Sequence, residues 1–358
     1  MNVERLHVIA SAVQDDLSST NTLPALRRLR GALRNVISEP QQSEHQQALS
    51  EALQGFRSDV SRSGAARFPQ SWRQILEDLG VDDLLGDSLR DQVDRIFADN
   101  TLTPTIAESQ IGELTDAVEE LQGSLESLLS AFSHFTLGKE DIAPGDAELS
   151  VLIPREAVAS ELPKLGEELL QIQRVLGPFS ELATGLRRPL TVNTIASSDF
   201  GLFMAIDFQT AKLIVEAVGL IIKTYEIIGR LRTNTQGLRD DALGDDLLAL
   251  IDERINTKMA EANTAAAEEL VVTNTKIDDG RKQELRTEVR LSLNALANRI
   301  DHGYNIDVRM GPIPNGTDDP ETAEAARVII TAGEALKYFK PAGRPILSLP
   351  EPTADADS

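Results

Sequence analysis

The sequence predicts a mainly α protein with a small α+β module at its centre, and three observations carry that reading. Apolar residues recur at three- and four-residue steps through most of the chain. Short alternating runs interrupt this rhythm around residues 149–153, 190–206 and 306–310. A composition of 41% hydrophobic and 26% charged residues over 358 positions suits a chain that buries an ordered core. The length predicts two or three domains, set here at 1–138, 146–233 and 240–349, with 350–358 as a disordered acidic tail.

The first hundred residues read as a helical bundle. Leu6, Ile9, Val13 and Leu17 form one stripe, and Thr22 with Pro24 behind it marks the start of the next, Leu26, Leu29, Leu33 and Val36. Beyond Pro40 the period continues in Leu49, Leu53, Phe56 and Val60. A Ser-, Gly- and Arg-rich loop at 61–69 precedes Trp72, Ile75, Leu76 and Leu79, and then Leu84, Leu85, Leu89, Val93 and Ile96.

Thr103-Pro104 is a cap followed by a residue suited to a first helical turn. From there Ile111, Leu114, Val118, Leu121, Leu125, Leu128, Phe132 and Phe135 form a heptad seam of coiled-coil length. Glu113, Asp116, Glu119, Glu120 and Glu126 lie between them with no Lys or Arg. A parallel homodimer would crowd these acids together. The predicted partner is therefore another helix of this chain or a basic surface elsewhere.

After a break at 138–145 the character changes. Leu149, Val151 and Ile153 alternate as a strand. Ser160 reads as the cap of a helix with Leu162, Leu165, Leu169, Ile172 and Leu176, which Gly177-Pro178 is expected to stop. Leu190, Val192 and Thr194, the turn Ser197-Ser198-Asp199, and Leu202, Met204 and Ile206 read as a hairpin. Asp207 is placed to cap the next helix. That helix carries two adjacent seams, Leu213, Ala217, Leu220, Ile227 and Leu231 beside Ile214, Val218, Ile221, Tyr225 and Ile228. So wide an apolar arc has to be covered on two sides. The resulting unit is strand–helix–strand–strand–helix.

The last third is helical with short strands. Leu243, Leu247, Leu250, Ile251, Ile255 and Met259 share one face, and 271–273 reads as a brief strand or a helix end. Asp278 or Asp279 caps a helix with Leu285, Val289, Leu293, Leu296 and Ile300, closed by Gly303. Ile306, Val308 and Met310 alternate, Asp319-Pro320 opens a further helix, and Ile346, Leu347 and Leu349 read as a terminal strand.

Composition excludes several functions. A net charge of −22 and a pI near 4.6 oppose broad contact with a phosphate backbone. The basic clusters Arg27, Arg28, Arg30, Arg34 and Arg281, Lys282, Arg286, Arg290 fit solvated helix faces. With no cysteine there is no disulfide, thiolate nucleophile or cysteine-held metal. The apolar stretch 213–228 is interrupted by Glu216, Lys223 and Glu226, so no transmembrane segment is predicted. The start of the chain lacks a signal-like apolar run, and the expected compartment is the cytoplasm.

Chemistry-bearing motifs are equally sparse. No glycine-rich phosphate cradle is present, and 311–316 holds two prolines where donors would be needed. His7, His45, His134 and His302 lack partners at metal-ligand spacing, and His302 suits the negative end of a helix dipole. Paired acids such as Asp15-Asp16, Asp240-Asp241 and Asp278-Asp279 stand before helical runs, where capping accounts for them. Ser198 lacks a nucleophile elbow. No catalytic, cofactor-binding or metal-ligating residue is assigned.

The function expected is a non-enzymatic interaction or oligomerisation protein that docks a protein partner through apolar helix faces. The expected interface residues are Leu213, Val218, Leu220, Ile221, Tyr225 and Ile228, with Leu121, Leu125 and Leu128 on the heptad helix. Two alternatives stand beside it: a Mg²⁺-dependent hydrolase or nuclease built from clustered carboxylates, and a peripheral membrane-associated protein.

Overall fold

The computed structural model describes residues 3–139, 141–196, 200–239, 245–273, 278–311, 320–335 and 344–353. Among these are eleven α-helices and one four-stranded antiparallel sheet, a mainly α protein with a small α+β module. The chain divides into two compact units, 1–140 and 141–358.

The first unit is helical. It comprises α1 (Val3–Ser19), α2 (Thr22–Ser38), α3 (Ser43–Val60), α4 (Gln70–Asp78), α5 (Gly86–Asp99) and the long α6 (Pro104–His134). The stripes converge as periodicity predicts: Ile9, Val13, Leu26, Leu29, Phe56, Leu89, Val93, Ile111 and Val118 are all buried in one core. Helix α6 lies against α1 and α2, so its seam is covered within this unit from Ile111 to Phe132, while Phe135, just past the helix end, is exposed.

The acids of α6 meet their cations on α2. Arg27 pairs with Glu119 at 2.9 Å, Arg30 with Glu108 at 2.9 Å and Asp116 at 3.5 Å, and Arg34 with Glu108 at 2.7 Å. Hydrogen bonds from Arg30 and then Arg34 hold the Glu108 carboxyl below its usual range. Such half-exposed pairs contribute about 0–1 kcal/mol each, so they set the register of α2 on α6 more than the stability. Gly112 makes the approach possible, because a Cβ there would stand 2.6 Å from the Arg30 guanidinium. The first basic cluster is thereby accounted for inside the fold.

The second unit is built on β1 (Asp146–Ile153), β2 (Thr191–Ala196), β3 (Phe200–Asp207) and β4 (Asn305–Met310), in the order β2-β3-β1-β4. The hairpin β2–β3 forms as predicted; its turn, 197–199, lies outside the described residues. Strand β4, far along the chain, pairs with β1 (Leu149 opposite Val308), so the C-terminal third shares a sheet and a core with the βαββα segment. Helices α7 (Leu162–Thr184), α8 (Phe208–Arg239), α9 (Asp245–Thr273), α10 (Asp279–Asp301) and α11 (Pro320–Ala335) complete the unit. Asp207 caps α8 through Thr210, whose N–H and hydroxyl donate to its carboxylate at 2.9 and 2.7 Å.

Four expectations are corrected. Helix α7 begins after Glu161 rather than Ser160, which takes a left-handed φ of 55°. It also runs through Gly177-Pro178 and stops at Gly185, in a left-handed conformation. A proline inside a helix removes one backbone bond and crowds the preceding turn, but Phe179, Leu182 and Ala183 beyond it are buried and hold the last turn in the core. Finally, Ile346, Leu347 and Leu349 are extended yet belong to no sheet, and Pro350 and Glu351, expected in a disordered tail, are held in place.

Candidate functional site

Helices α9 and α10 pack together, and their shared surface carries a row of short polar side chains: Asn256 from α9, and Asn294, Asn298 and Asp301 from α10. Residues four and three apart on a helix share a face. Seven residues of α10 span about 10.5 Å, against about 10 to 13 Å for three to four steps of extended chain. A helix face with polar groups at this spacing therefore matches an extended backbone laid along it.

Residues 346–351 occupy that face, running opposite to α10. Asn298 binds Leu349 on both sides: its Oδ1 accepts from the Leu349 N–H at 3.0 Å and its Nδ2 donates to the Leu349 carbonyl at 2.9 Å. Asn256 accepts from the Ser348 N–H at 2.8 Å and donates to the Ile346 carbonyl at 3.1 Å. Asp301 accepts from the N–H groups of Ile346 and Leu347 through one carboxylate oxygen, and from the Tyr225 hydroxyl through the other. Asn294 donates to the Pro350 carbonyl at 3.1 Å. Its own amide is oriented by Asn263, which donates to the Asn294 Oδ1 at 3.0 Å.

Every backbone N–H from Ile346 to Leu349 thus has a side-chain acceptor, and Pro350 has no N–H to satisfy. The side chains of the segment alternate as in a strand. Leu347 and Leu349 are buried in the unit's core, whereas Ser348 and Pro350 are exposed. Each buried leucine contributes about 1.5–3 kcal/mol and each neutral hydrogen bond about 0.5–1.5 kcal/mol. Ordering the backbone opposes this by about 1–2 kcal/mol per residue. The hold is therefore of the same order as the entropy it overcomes, which is the regime of a docked ligand.

The end of the segment meets a buried charge. Arg299, 8% exposed at its side chain, forms a fork with Glu168 of α7 at 2.7 and 3.1 Å and reaches Glu351 at 2.9 Å. The Glu351 carboxylate also accepts from Asn298 at 2.7 Å. Burial disfavours the Arg299 cation, but the Glu168 hydrogen bond and the charges of Glu168 and Glu351 outweigh it and raise its pKa. Burial, and then the Glu168 charge, push the Tyr304 phenol upward. Neither group exchanges protons near neutral pH; both act as fixed donors. An open cavity of about 770 Å³ runs beside the segment, lined among others by Gln171, Arg299, His302 and Tyr304. His302 caps α10, its Nδ1 2.7 Å from the Asn298 carbonyl oxygen, in keeping with its structural reading.

The expected interface residues fall elsewhere. Val218, Ile221, Tyr225 and Ile228 are at most 3% exposed and Leu213 is half-buried; on the described part of α8 only Leu220, at 37%, and Ile227 remain outside. The side chain of Leu231 lies outside the described residues. The arc is indeed wider than the sheet covers, but α7, α9, α10 and α11 enclose the rest, so it supplies no argument for assembly. On α6, Leu125 is buried and Leu121 and Leu128 are packed against the first unit's core. The second basic cluster is likewise internal: Arg281 binds Glu181 at 2.7 Å and Glu288 at 3.0 Å, and Arg286 binds Glu268 at 2.7 Å.

Among the described residues no three His, Asp or Glu side chains gather as a metal site. Among them, too, no helix is long and apolar enough to cross a membrane. No protein-family model, curated protein or solved structure matches the chain.

The groove residues carry a weak signal in the sequence. Asn294, Asn298 and Asp301 share one face of a helix in which Leu293, Ala295, Leu296, Ala297 and Ile300 are apolar, and polar groups on a packed face need partners. The partners lie some 45 to 56 residues away, where no local pattern reaches.

Proposed function

We propose that the protein is a non-enzymatic interaction protein that docks a protein partner, and that the α9–α10 groove is its docking surface. The observation that carries this reading is the row of Asn256, Asn294, Asn298 and Asp301, which grips an extended chain by its backbone. Backbone recognition gives affinity with little dependence on sequence, while pockets for alternate side chains add selectivity. Here the alternate pockets take leucines and Arg299 takes a carboxylate. Leu220 and Ile227 on α8 offer a further small apolar surface.

The test is selection of displayed random twelve-residue peptides on the immobilised full chain, with the Asn256→Ala/Asn298→Ala variant as counter-target. Binders that prefer the unaltered chain are expected, enriched in apolar residues two apart. A selection that yields no binders, or binders indifferent to the two asparagines, would overturn the reading.

A further inference from the structure

We infer that residues 346–351 are an internal ligand of this groove: the segment closes it against extended peptides bearing apolar side chains two residues apart and a carboxylate two residues further on, and yields to such peptides in trans. The inference rests on the docking reading above and identifies both the ligand class and the element that regulates access.

Three observations support it. The segment's backbone is held by side chains and not by strand pairing, so its hold does not require continuity with the fold. Only Leu347 and Leu349 are deeply buried, while Ser348 and Pro350 face outward. Arg299 keeps its fork with Glu168 independently of Glu351, and Asn263 orients Asn294 through its Oδ1, the atom the segment does not use. Arg299 and Asn294 are therefore oriented without the occupant.

The same contacts define what can compete. A competing peptide needs free N–H groups at the positions of Ile346 to Leu349, apolar side chains at those of Leu347 and Leu349, and an acid at that of Glu351. A ligand carried on the same chain binds as an intramolecular competitor, at an effective concentration that a free peptide has to overcome. A trans peptide of equal intrinsic affinity is correspondingly disadvantaged while the internal segment is intact.

The experiment uses the full chain and a fluorescent peptide of residues 344–353, followed by anisotropy. The Leu347→Ser/Leu349→Ser chain, in which the internal anchors are removed, is expected to bind the peptide at least tenfold more tightly than the unaltered chain. Adding Asn298→Ala is expected to reverse that gain. If the double-serine chain keeps its helical circular dichroism but does not bind, the inference fails; peptides selected by display that still bind would then leave the docking reading standing. If the double-serine chain loses its helical signal, the segment is part of the core and not a ligand, and the inference fails as well.

Discussion

Asp301→Ala is expected to destabilise the 141–358 unit by about 3–5 kcal/mol, because the change removes an acceptor shared by three donors. The Tyr225 hydroxyl and the N–H groups of Ile346 and Leu347 all converge on this one carboxylate, which is 1% exposed. A hydrogen bond to a charged group contributes about 1.5–3 kcal/mol, and a buried donor left without a partner costs about 1–3 kcal/mol. The terms overlap, so they do not sum in full. For a unit of this size the loss corresponds to a Tm fall of about 6–20 °C, readable by calorimetry. Tyr225→Phe, which removes one donor and orphans none, is expected to cost about 1–1.5 kcal/mol. An Asp301→Ala loss under 1 kcal/mol would mean that the carboxylate does not join the core to the segment.

The second large effect is a contrast between neighbours on α8. Ile221→Asp is expected to cost at least about 4 kcal/mol, since it puts an unpaired charge at a site 1% exposed and removes a packed side chain. Leu220→Asp, at a position 37% exposed, is expected to stay within about 1 kcal/mol. Denaturant titration of the two variants measures both. Were the α8 arc an open docking face, the two substitutions would leave stability alike and alter only association. Equal, small effects would contradict the enclosure of this arc by α7, α9, α10 and α11.

Helix faces were legible in the sequence because their signal is local. A three–four rhythm such as Ile111 to Phe132 reports a buried stripe whatever the stripe packs on, and the same holds for Leu285 to Ile300. The uncompensated acids of α6 call for another helix of this chain or a basic surface, and the arginines of α2, which read as a solvated face, are what meets them. Which neighbour covers a face is a different matter. The two seams of α8 need cover on two sides, but the covering helices α9, α10 and α11 follow later in the chain.

Other features were hidden because tertiary contacts outweighed local preference. Gly177-Pro178 has the chemistry of a helix stop, yet burial of Phe179 and Leu182 beyond it carries α7 onward. Ile346, Leu347 and Leu349 have the alternation of a strand, and they do lie extended. Their hydrogen-bond partners are asparagine and aspartate side chains on helices, which alternation alone does not distinguish from a neighbouring strand. Asparagine carries no charge to flag it, and a search for catalytic chemistry passes over it.

The most direct measurement is native-state hydrogen exchange at the Leu349 amide in the Asn298→Ala chain. If Asn298 grips the backbone of the segment, Leu349 is expected to lose about 10- to 100-fold in protection, while the Leu347 amide, held by Asp301, and the amides of α10 keep most of theirs. Unchanged protection at Leu349, or an equal loss spread through α10, would contradict a segment held in its groove by side-chain contacts to its backbone.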